Sequence, residues 1–289
     1  MQRYERIGIV YHGLLPEARA LAESLRRQFG DNRDWWLATQ DTLERESTRL
    51  DGTDLIVTIG GDGTILRGTH LAAPQDIPVL GVNMGRVGFM SEIDADDALD
   101  GLGWYLDGNA RVEVRSMLRA EVEGLTMDAL NDVTVARGAV VRVIEVRTVI
   151  DGVLLNTYRG DGVVVATATG STGYALALGG PVMDPVSQDF LVKPVAAHMS
   201  QFGGVILQAT STLHMTVRCD SPATVSADGF MDRALQDGQA VKVGHSSHYA
   251  RFLRKDSYAS FWGSLSMRLG MVQGALPRKE RADEYSDNI

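Results

Sequence analysis

Asp62 is the residue of this chain best placed to do chemistry, because it is a carboxylate set inside the glycine turn Gly60-Gly61-Asp62-Gly63-Thr64. The turn follows directly on the apolar run Leu55-Ile56-Val57-Thr58-Ile59. Glycines remove the Cβ atoms that hold a backbone away from a ligand, and they permit the positive φ angles that aim successive N–H groups at one anion. Such a loop attracts phosphate oxygens. A carboxylate beside it is repulsive unless a metal, a proton or a hydroxyl substrate compensates, so Asp62 fits a base working next to a phosphate. The plainer reading of the same residues is a strand-to-helix connection in which Asp62 serves only as an N-cap.

Two further constellations carry polar chemistry. Arg159-Gly160-Asp161-Gly162 and Thr169-Gly170-Ser171-Thr172-Gly173-Tyr174 are polar glycine loops at the two ends of one short apolar strand. Ordering so much glycine is costly, so either a turn-dense β architecture requires it or a ligand lies across it. The hydroxyls and N–H groups of Thr169 to Thr172 suit phosphate oxygens, and Tyr174 fits either stacking on a base or ribose or ordinary half-buried packing. Asn131-Asp132, just before Val133-Thr134-Val135, could hold the vicinal hydroxyls of a ribose, or could simply form an Asx turn at a strand edge.

The elements that must position these residues change character along the chain. Arg6 to Tyr11 reads as a buried strand, Pro16 to Phe29 as a helix, Leu55 to Ile59 as a strand, Ile65 to Ala73 as a helix and Pro78 to Val82 as a strand. The last of these leads into a second glycine loop, Asn83 to Phe89. This alternation predicts a parallel sheet covered by helices, with ligands at the carboxyl ends of the strands. Beyond about residue 110 the period shortens. Val140 to Ile150, Val153 to Tyr158, Val163 to Thr167, Val205 to Ala209, Leu213 to Cys219 and Ala240 to Val243 read as strands, with Asp151-Gly152 as a hairpin turn. Phe261 to Met271 returns to helical spacing, and a polar tail expected to be disordered follows.

Composition limits the function classes. In 289 residues, 28 Lys and Arg face 37 Asp and Glu, a net charge of −9, which argues against a general nucleic-acid binder. An anionic ligand must therefore find local cations, for which Arg67, Arg142 and Arg159 are the candidates. The single cysteine, Cys219, excludes an intrachain disulfide framework and a multi-cysteine zinc site, and the six histidines show no metal-ligand spacing. Neither a signal-peptide pattern nor a run of about 18 apolar residues occurs, so a soluble, cytoplasmic protein is expected. No Gly-Lys-Ser/Thr follows a glycine loop, so backbone N–H groups and magnesium would have to carry phosphate charge.

Taken together, the motifs resemble the ATP-NAD kinase family. They are GGDGT at 60–64, GVNMGRVGFMSE at 81–92, ALND at 129–132, and RGDG from Arg159 followed by TGSTGYALALGGP ending at Pro181. GGDGT alone is shared with lipid kinases; the TGST segment makes the resemblance specific. It implies an α/β N-terminal domain with a Rossmann-like parallel sheet over 1–105 and a β-rich, sandwich-like domain over 106–258. A C-terminal helix over 259–275 would return to the first domain, ahead of a disordered tail over 276–289. It also implies transfer of the terminal phosphoryl group of ATP, or of polyphosphate, to the 2′-hydroxyl of the adenosine ribose of NAD, with magnesium accompanying the donor.

By that resemblance Asp62 is the base, and Gly61, Gly63, Thr64 and Arg67 line its loop. Phe89 lies near the adenine, and Asn131 and Asp132 hold ribose hydroxyls. Arg159 and Asp161 act from a neighbouring subunit of a homodimer or homotetramer, with Arg142 as a further local cation. Thr172, Gly173, Tyr174, Ala175, Leu176 and Ala177 line the dinucleotide. The chain departs from the family pattern at Asp132, where Glu is usual, at Ala177 for Ser, at Ala168 for Pro, at Gly203-Gly204 for Arg-Pro, and at Phe230 for Gln. Two other readings are a lipid kinase of the same superfamily, which the acidic balance and polar Asn131-Asp132 disfavour, and a non-catalytic NAD sensor, which has no need of Asp62.

Overall fold

The computed structural model describes residues 4–30, 33–45, 47–85, 88–138, 142–197, 203–258 and 260–269. The polar tail, and Arg86 and Val87 of the second glycine loop, lie outside them.

Strands that are apolar along their whole length need cover on both faces, and the first domain supplies it. Leu55–Gly60 and Val79–Asn83 are buried at every position and Arg6–Tyr11 at all but its ends. They pair in parallel in the spatial order Asp34–Thr39, Arg6–Tyr11, Leu55–Gly60, Val79–Asn83. Helices Pro16–Phe29 and Ala98–Leu106 pack on one face through Ala22, Leu25, Leu102 and Leu106. Helix Asp62–Ala72 packs on the other through Ile65, Leu66 and Ala72. The sequence reading passed over Asp34–Thr39 and Ala98–Leu106. The first is held by its indoles: Trp36 fills the space above Gly8, where a Cβ would come within 2.1 Å of the ring, and donates Nε1–H to Thr53 Oγ1 at 3.0 Å.

The second domain is two sheets face to face. One is antiparallel, in the order Val205–Leu207, Phe190–Val195, Gly162–Thr167, Asp132–Arg137, Ala223–Ala227, Met231–Leu235. Its inner residues Val163, Val165, Phe190 and Val225 meet Val146, Met215, Val243 and Leu118 of the opposing layer. Asp151 and Gly152 form the expected hairpin turn, both with positive φ (48° and 85°), between Ile144–Ile150 and Val153–Gly160.

One strand belongs to both domains. Ala240–Arg254 pairs antiparallel with Leu213–Arg218 and Arg111–Val122, and near its end Phe252 pairs in parallel with Val79. The sheet of the first domain therefore continues into the second as a single 11-stranded sheet. The pattern had suggested a strand ending at Val243. The polar stretch His245 to His248 hides the continuation, because the register shifts between His245 and Tyr249. Asp128 accepts hydrogen bonds there from Ser246 Oγ (2.9 Å), and pairs with His248 Nδ1 (2.8 Å).

Candidate functional site

The glycine turn joins the strand Leu55–Gly60 to the helix Asp62–Ala72. Gly61, not Asp62, is the N-cap, and Asp62 is the first helical residue, so its side chain is not used in capping. None of Gly60, Gly61 and Gly63 has the positive φ the sequence reading allowed for. Only Gly60 is required by closeness. A Cβ on Gly60 would lie 2.3 Å from Thr64 Oγ1, which buries Thr64 beneath the turn and not in front of it. A Cβ on Gly61 or Gly63 would meet nothing within 4 Å, so the start of the helix is open to a ligand; the Thr64 and Ile65 amides donate to Gly61 O at 2.9 and 3.2 Å, and the positive end of the helix favours an anion there. Across the turn lies the second glycine loop. Gly88 leaves room for the Asp62 carboxylate, which a Cβ would approach to 1.8 Å, and Phe89 N–H donates to Asp62 Oδ2 at 3.3 Å. Met84 N–H donates to Gly60 O at 3.1 Å, which ties the two loops together.

Asn131 and Asp132 start the strand Asp132–Arg137 and are held from behind by a residue the sequence reading did not select. Asp228, whose carboxylate is fully buried, accepts N–H bonds from Leu130 (2.7 Å), Asn131 (2.7 Å) and Asp132 (3.0 Å). Its fourth partner is His70 Nε2 at 2.5 Å, from the helix that begins at Asp62. Asp228 stands at φ 54° in an Asp-Gly turn, and its own N–H donates to Asp132 O at 2.9 Å. Burial, with Asp228 as a second cause, pushes the Asp132 carboxyl up to about 6, against the hydrogen bond from Thr134 Oγ1 at 3.0 Å. Phe230 packs edge-on to His70 with ring centroids 5.0 Å apart, and the Arg67 guanidinium lies over its ring at 4.9 Å. The histidines show no metal-ligand spacing in the sequence, and the signal the sequence carries for His70 is its place about two helical turns after Asp62.

The TGST loop leans on this anchor. Thr167 Oγ1 donates to Leu130 O at 2.5 Å, and Gly170 passes so close to Asn131 that a Cβ would come within 2.0 Å of its carbonyl oxygen. The loop's hydroxyls were expected to suit phosphate, but they turn inward to fix the turn. Ser171 Oγ donates to Ala168 O (2.6 Å) and accepts from Met183 N–H (2.9 Å), and Thr172 Oγ1 donates to Thr169 O (3.0 Å). Thr169 Oγ1 accepts from Arg115, a guanidinium buried among Glu113, Arg111 and Arg254. Burial alone would raise Glu113, but Arg115, Arg254 and Arg111 hold it down to about 2. Arg254 also reaches Met90 O, Ser91 O and Glu92, so this network bridges the second glycine loop and the shared strand.

Two family models match the chain, the ATP-NAD kinase N-terminal domain over residues 15–109 and the ATP-NAD kinase C-terminal domain over 130–255. The chain belongs to the ATP-NAD kinase family. It is 37% identical over 273 residues to an NAD kinase of Dehalococcoides mccartyi (strain CBDB1), covering 92% of this chain and 96% of that one. It is 38% identical over 279 residues to an NAD kinase of Chloroflexus aurantiacus (strain ATCC 29366 / DSM 635 / J-10-fl), covering 92% and 98%. Among solved structures, an NAD kinase from Archaeoglobus fulgidus in complex with ATP matches with TM-score 0.73 and 25% identity over 93% of this chain and 100% of that one. A yeast NADH kinase complexed with NADH shares the fold, with TM-score 0.84 and 22% identity over 96% and 91%. The chain is thus a phosphotransferase of the NAD kinase type, and the relatives do not favour the lipid-kinase reading.

The structure places the groups picked out in the sequence at two ends of the second domain. Asp62, Gly61, Gly63, Phe89, Asn131 and Asp132 lie on the connected walls just described, and Tyr174 follows the TGST loop with its ring half exposed. Thr172 and Leu176 are half-buried there, while Gly173 and Ala177 are exposed. Ala175 turns into the apolar cluster of Val164, Ala166 and Met183, so only its backbone can face a ligand. Three residues lie elsewhere. Asp161 is paired with Arg137 at 2.6 Å beyond the opposite end of the strand Gly162–Thr167, about 20 Å from Thr167 at 3.3 Å per residue. Arg159, on the strand Val153–Gly160, and Arg142, just before Ile144–Ile150, are exposed at that same end. A cavity of about 750 Å³ opens on the other side of Phe89, floored by the Glu113 network and walled by Trp104, Tyr105 and Tyr258. Asp62, Asn131 and Asp132 are not in its lining. No helix among the described residues is long and apolar enough to cross a membrane.

Proposed function

We propose that the walls carrying Asp62, Asn131 and Asp132 phosphorylate the 2′-hydroxyl of the adenosine ribose of NAD, with Asp62 as the base. The observation that supports this most directly is Asp62 itself: a carboxylate at the first turn of a helix, held by Phe89 N–H, beside two glycines with open space around them. Asn131 and Asp132 fit the ribose. Above a pH of about 6 Asp132 is ionised and accepts from hydroxyls, while the Asn131 amide both accepts and donates. The 2′-oxygen attacks the γ-phosphorus as the bond to the bridging oxygen breaks. ADP leaves, and the hydroxyl proton passes to Asp62. In the loose transition state of phosphoryl transfer, positioning and charge neutralisation supply most of the rate. The helix N-terminus provides part of that neutralisation.

Magnesium enters with ATP as substrate. Among the described residues no group of three or more His, Cys, Asp or Glu forms a metal cage, and magnesium is ordinarily held by phosphates, water and one or two carboxylates. The placement of Arg159 and Asp161 at the far end of the sandwich suits a contribution to a neighbouring copy's site, so we read the enzyme as a cytoplasmic homodimer or homotetramer. Sedimentation equilibrium tests the assembly.

The activity is tested by NADP formation from NAD, ATP and magnesium, with polyphosphate and NADH as alternates. Asp62→Asn is expected to lower kcat by about 100-fold or more while NAD still binds. Near-normal turnover by the folded variant would overturn the role of Asp62.

A further inference from the structure

The Asp228 carboxylate has partners in both domains at once. Three of its hydrogen bonds go to the successive amides of Leu130, Asn131 and Asp132. The fourth comes from His70, on the helix whose first residue is Asp62. Phe230, two residues after Asp228, completes the contact with its ring against His70 and under Arg67. The surroundings are closed. The His70 side chain is 11% exposed and that of Asp228 0%. Such a junction fixes geometry, because a carboxylate with four directed donors has one low-energy position.

We propose that His70 and Asp228 are positioning residues for phosphoryl transfer, a latch that sets the Asn131–Asp132 anchor in register with the helix bearing Asp62. Neither touches a substrate. Asp228 shapes the backbone from which Asn131 and Asp132 project, and His70 fastens that backbone to the other half of the site. The same contact gives Phe230 a use: where the family usually has Gln, this chain has a ring that widens the latch and takes a cation from the same helix. The inference rests on the reading of these walls as the site of NAD phosphorylation.

The test measures kcat and KM for NAD and for ATP in His70→Leu, His70→Gln and Asn131→Ala, and in His70→Leu combined with Asn131→Ala. His70→Leu is expected to lose about tenfold or more in kcat/KM for NAD, since misplacement of the reacting groups by about 1 Å can cost up to 100-fold. KM for ATP should stay near wild type, while the melting temperature should fall by a few degrees because a buried carboxylate loses one donor. His70→Gln, whose amide nitrogen reaches the position of Nε2, should recover most of the loss. In the Asn131→Ala background, where half of the anchor is gone, His70→Leu should cost a smaller factor than in the wild type, because groups acting through one another are not additive. If His70→Leu folds poorly, His70→Gln is set against His70→Asn, whose shorter amide falls short of Asp228 and should show the loss. Wild-type activity in His70→Leu, or the same factor in both backgrounds, or no recovery in His70→Gln or advantage over His70→Asn would overturn the latch. Absence of NADP formation by the wild-type enzyme would instead overturn the function on which it rests.

Discussion

Glu113 and Asp228 are both carboxylates buried where the two domains meet, yet their charges are balanced by different means. Glu113 lies among the guanidinium groups of Arg111, Arg115 and Arg254. Asp228 lies among backbone amides and one imidazole, beside a second carboxyl, Asp132, that burial and Asp228 push up to about 6. The guanidiniums also donate along fixed N–H directions, but each is a full charge at the end of a long side chain, so the Glu113 network serves mainly to balance charge and join elements. At Asp228 three of the donors are backbone amides, whose N–H directions are set by the chain itself. The Asp228 junction therefore carries geometry, and the strain of a second carboxylate, at the point where the ribose is expected to bind.

The contrast can be broken first at Glu113. Glu113→Gln leaves Arg115 and Arg254 buried without their balancing charge, and should cost about 3–5 kcal/mol in a urea titration. A loss under about 1 kcal/mol would show that water compensates those guanidiniums. Because Glu113 is held below its ordinary value, its contribution is present above pH of about 4.5 and is lost as pH falls through about 2.

Asp132 should behave in the opposite sense. Its raised value means that the fold favours the protonated form. That stabilisation is present below the unfolded value of about 3.8 and disappears as pH rises through about 6. Asp132→Asn should therefore melt a few degrees higher than wild type at pH 7, while binding NAD more weakly. KM for NAD in the wild type should rise as pH falls through 6, and that dependence should flatten in the variant. A pH-independent wild type would remove Asp132 from the ribose site.

The smallest effect belongs to the far end of the sandwich. Arg137 and Asp161 form a pair with side chains 25% and 38% exposed, so Arg137→Ala should change stability by no more than about 1 kcal/mol. A much larger loss in thermal melts would mean that this end is covered in solution, as a homo-oligomer requires.

Much of this molecule was legible in the sequence where the signal was local. The glycine turn after Leu55–Gly60, the Asp151-Gly152 hairpin and the change from helical to strand period each rest on neighbouring residues. The family motifs pointed to Asp62, Asn131 and Asp132. What escaped depends on distant partners. Asp228 reads as half of a turn until Leu130 to Asp132 are laid against it, and His70 as a helix-surface histidine until the turn arrives. The hydroxyls of the TGST loop misled for a related reason, since a Ser or Thr beside a glycine can face a ligand or lock its own turn. Here Ser171 and Thr172 lock it.

The strand shared between the domains has a consequence for how the protein is made. The sheet of the first domain borders Val79–Asn83 with residues from Ala240–Arg254, and Arg254 then clasps Met90, Ser91 and Glu92. Ile93–Asp94 covers the Val82–Asn83 end of that strand, so the amino-terminal third of the chain leaves the ribosome with the Val79 end of its sheet edge open. It keeps that edge for most of synthesis, which at about 5–20 residues per second lasts roughly ten seconds or longer. During that interval the nascent protein carries an exposed site for wrong pairing, and its own last strand is the piece that seals it.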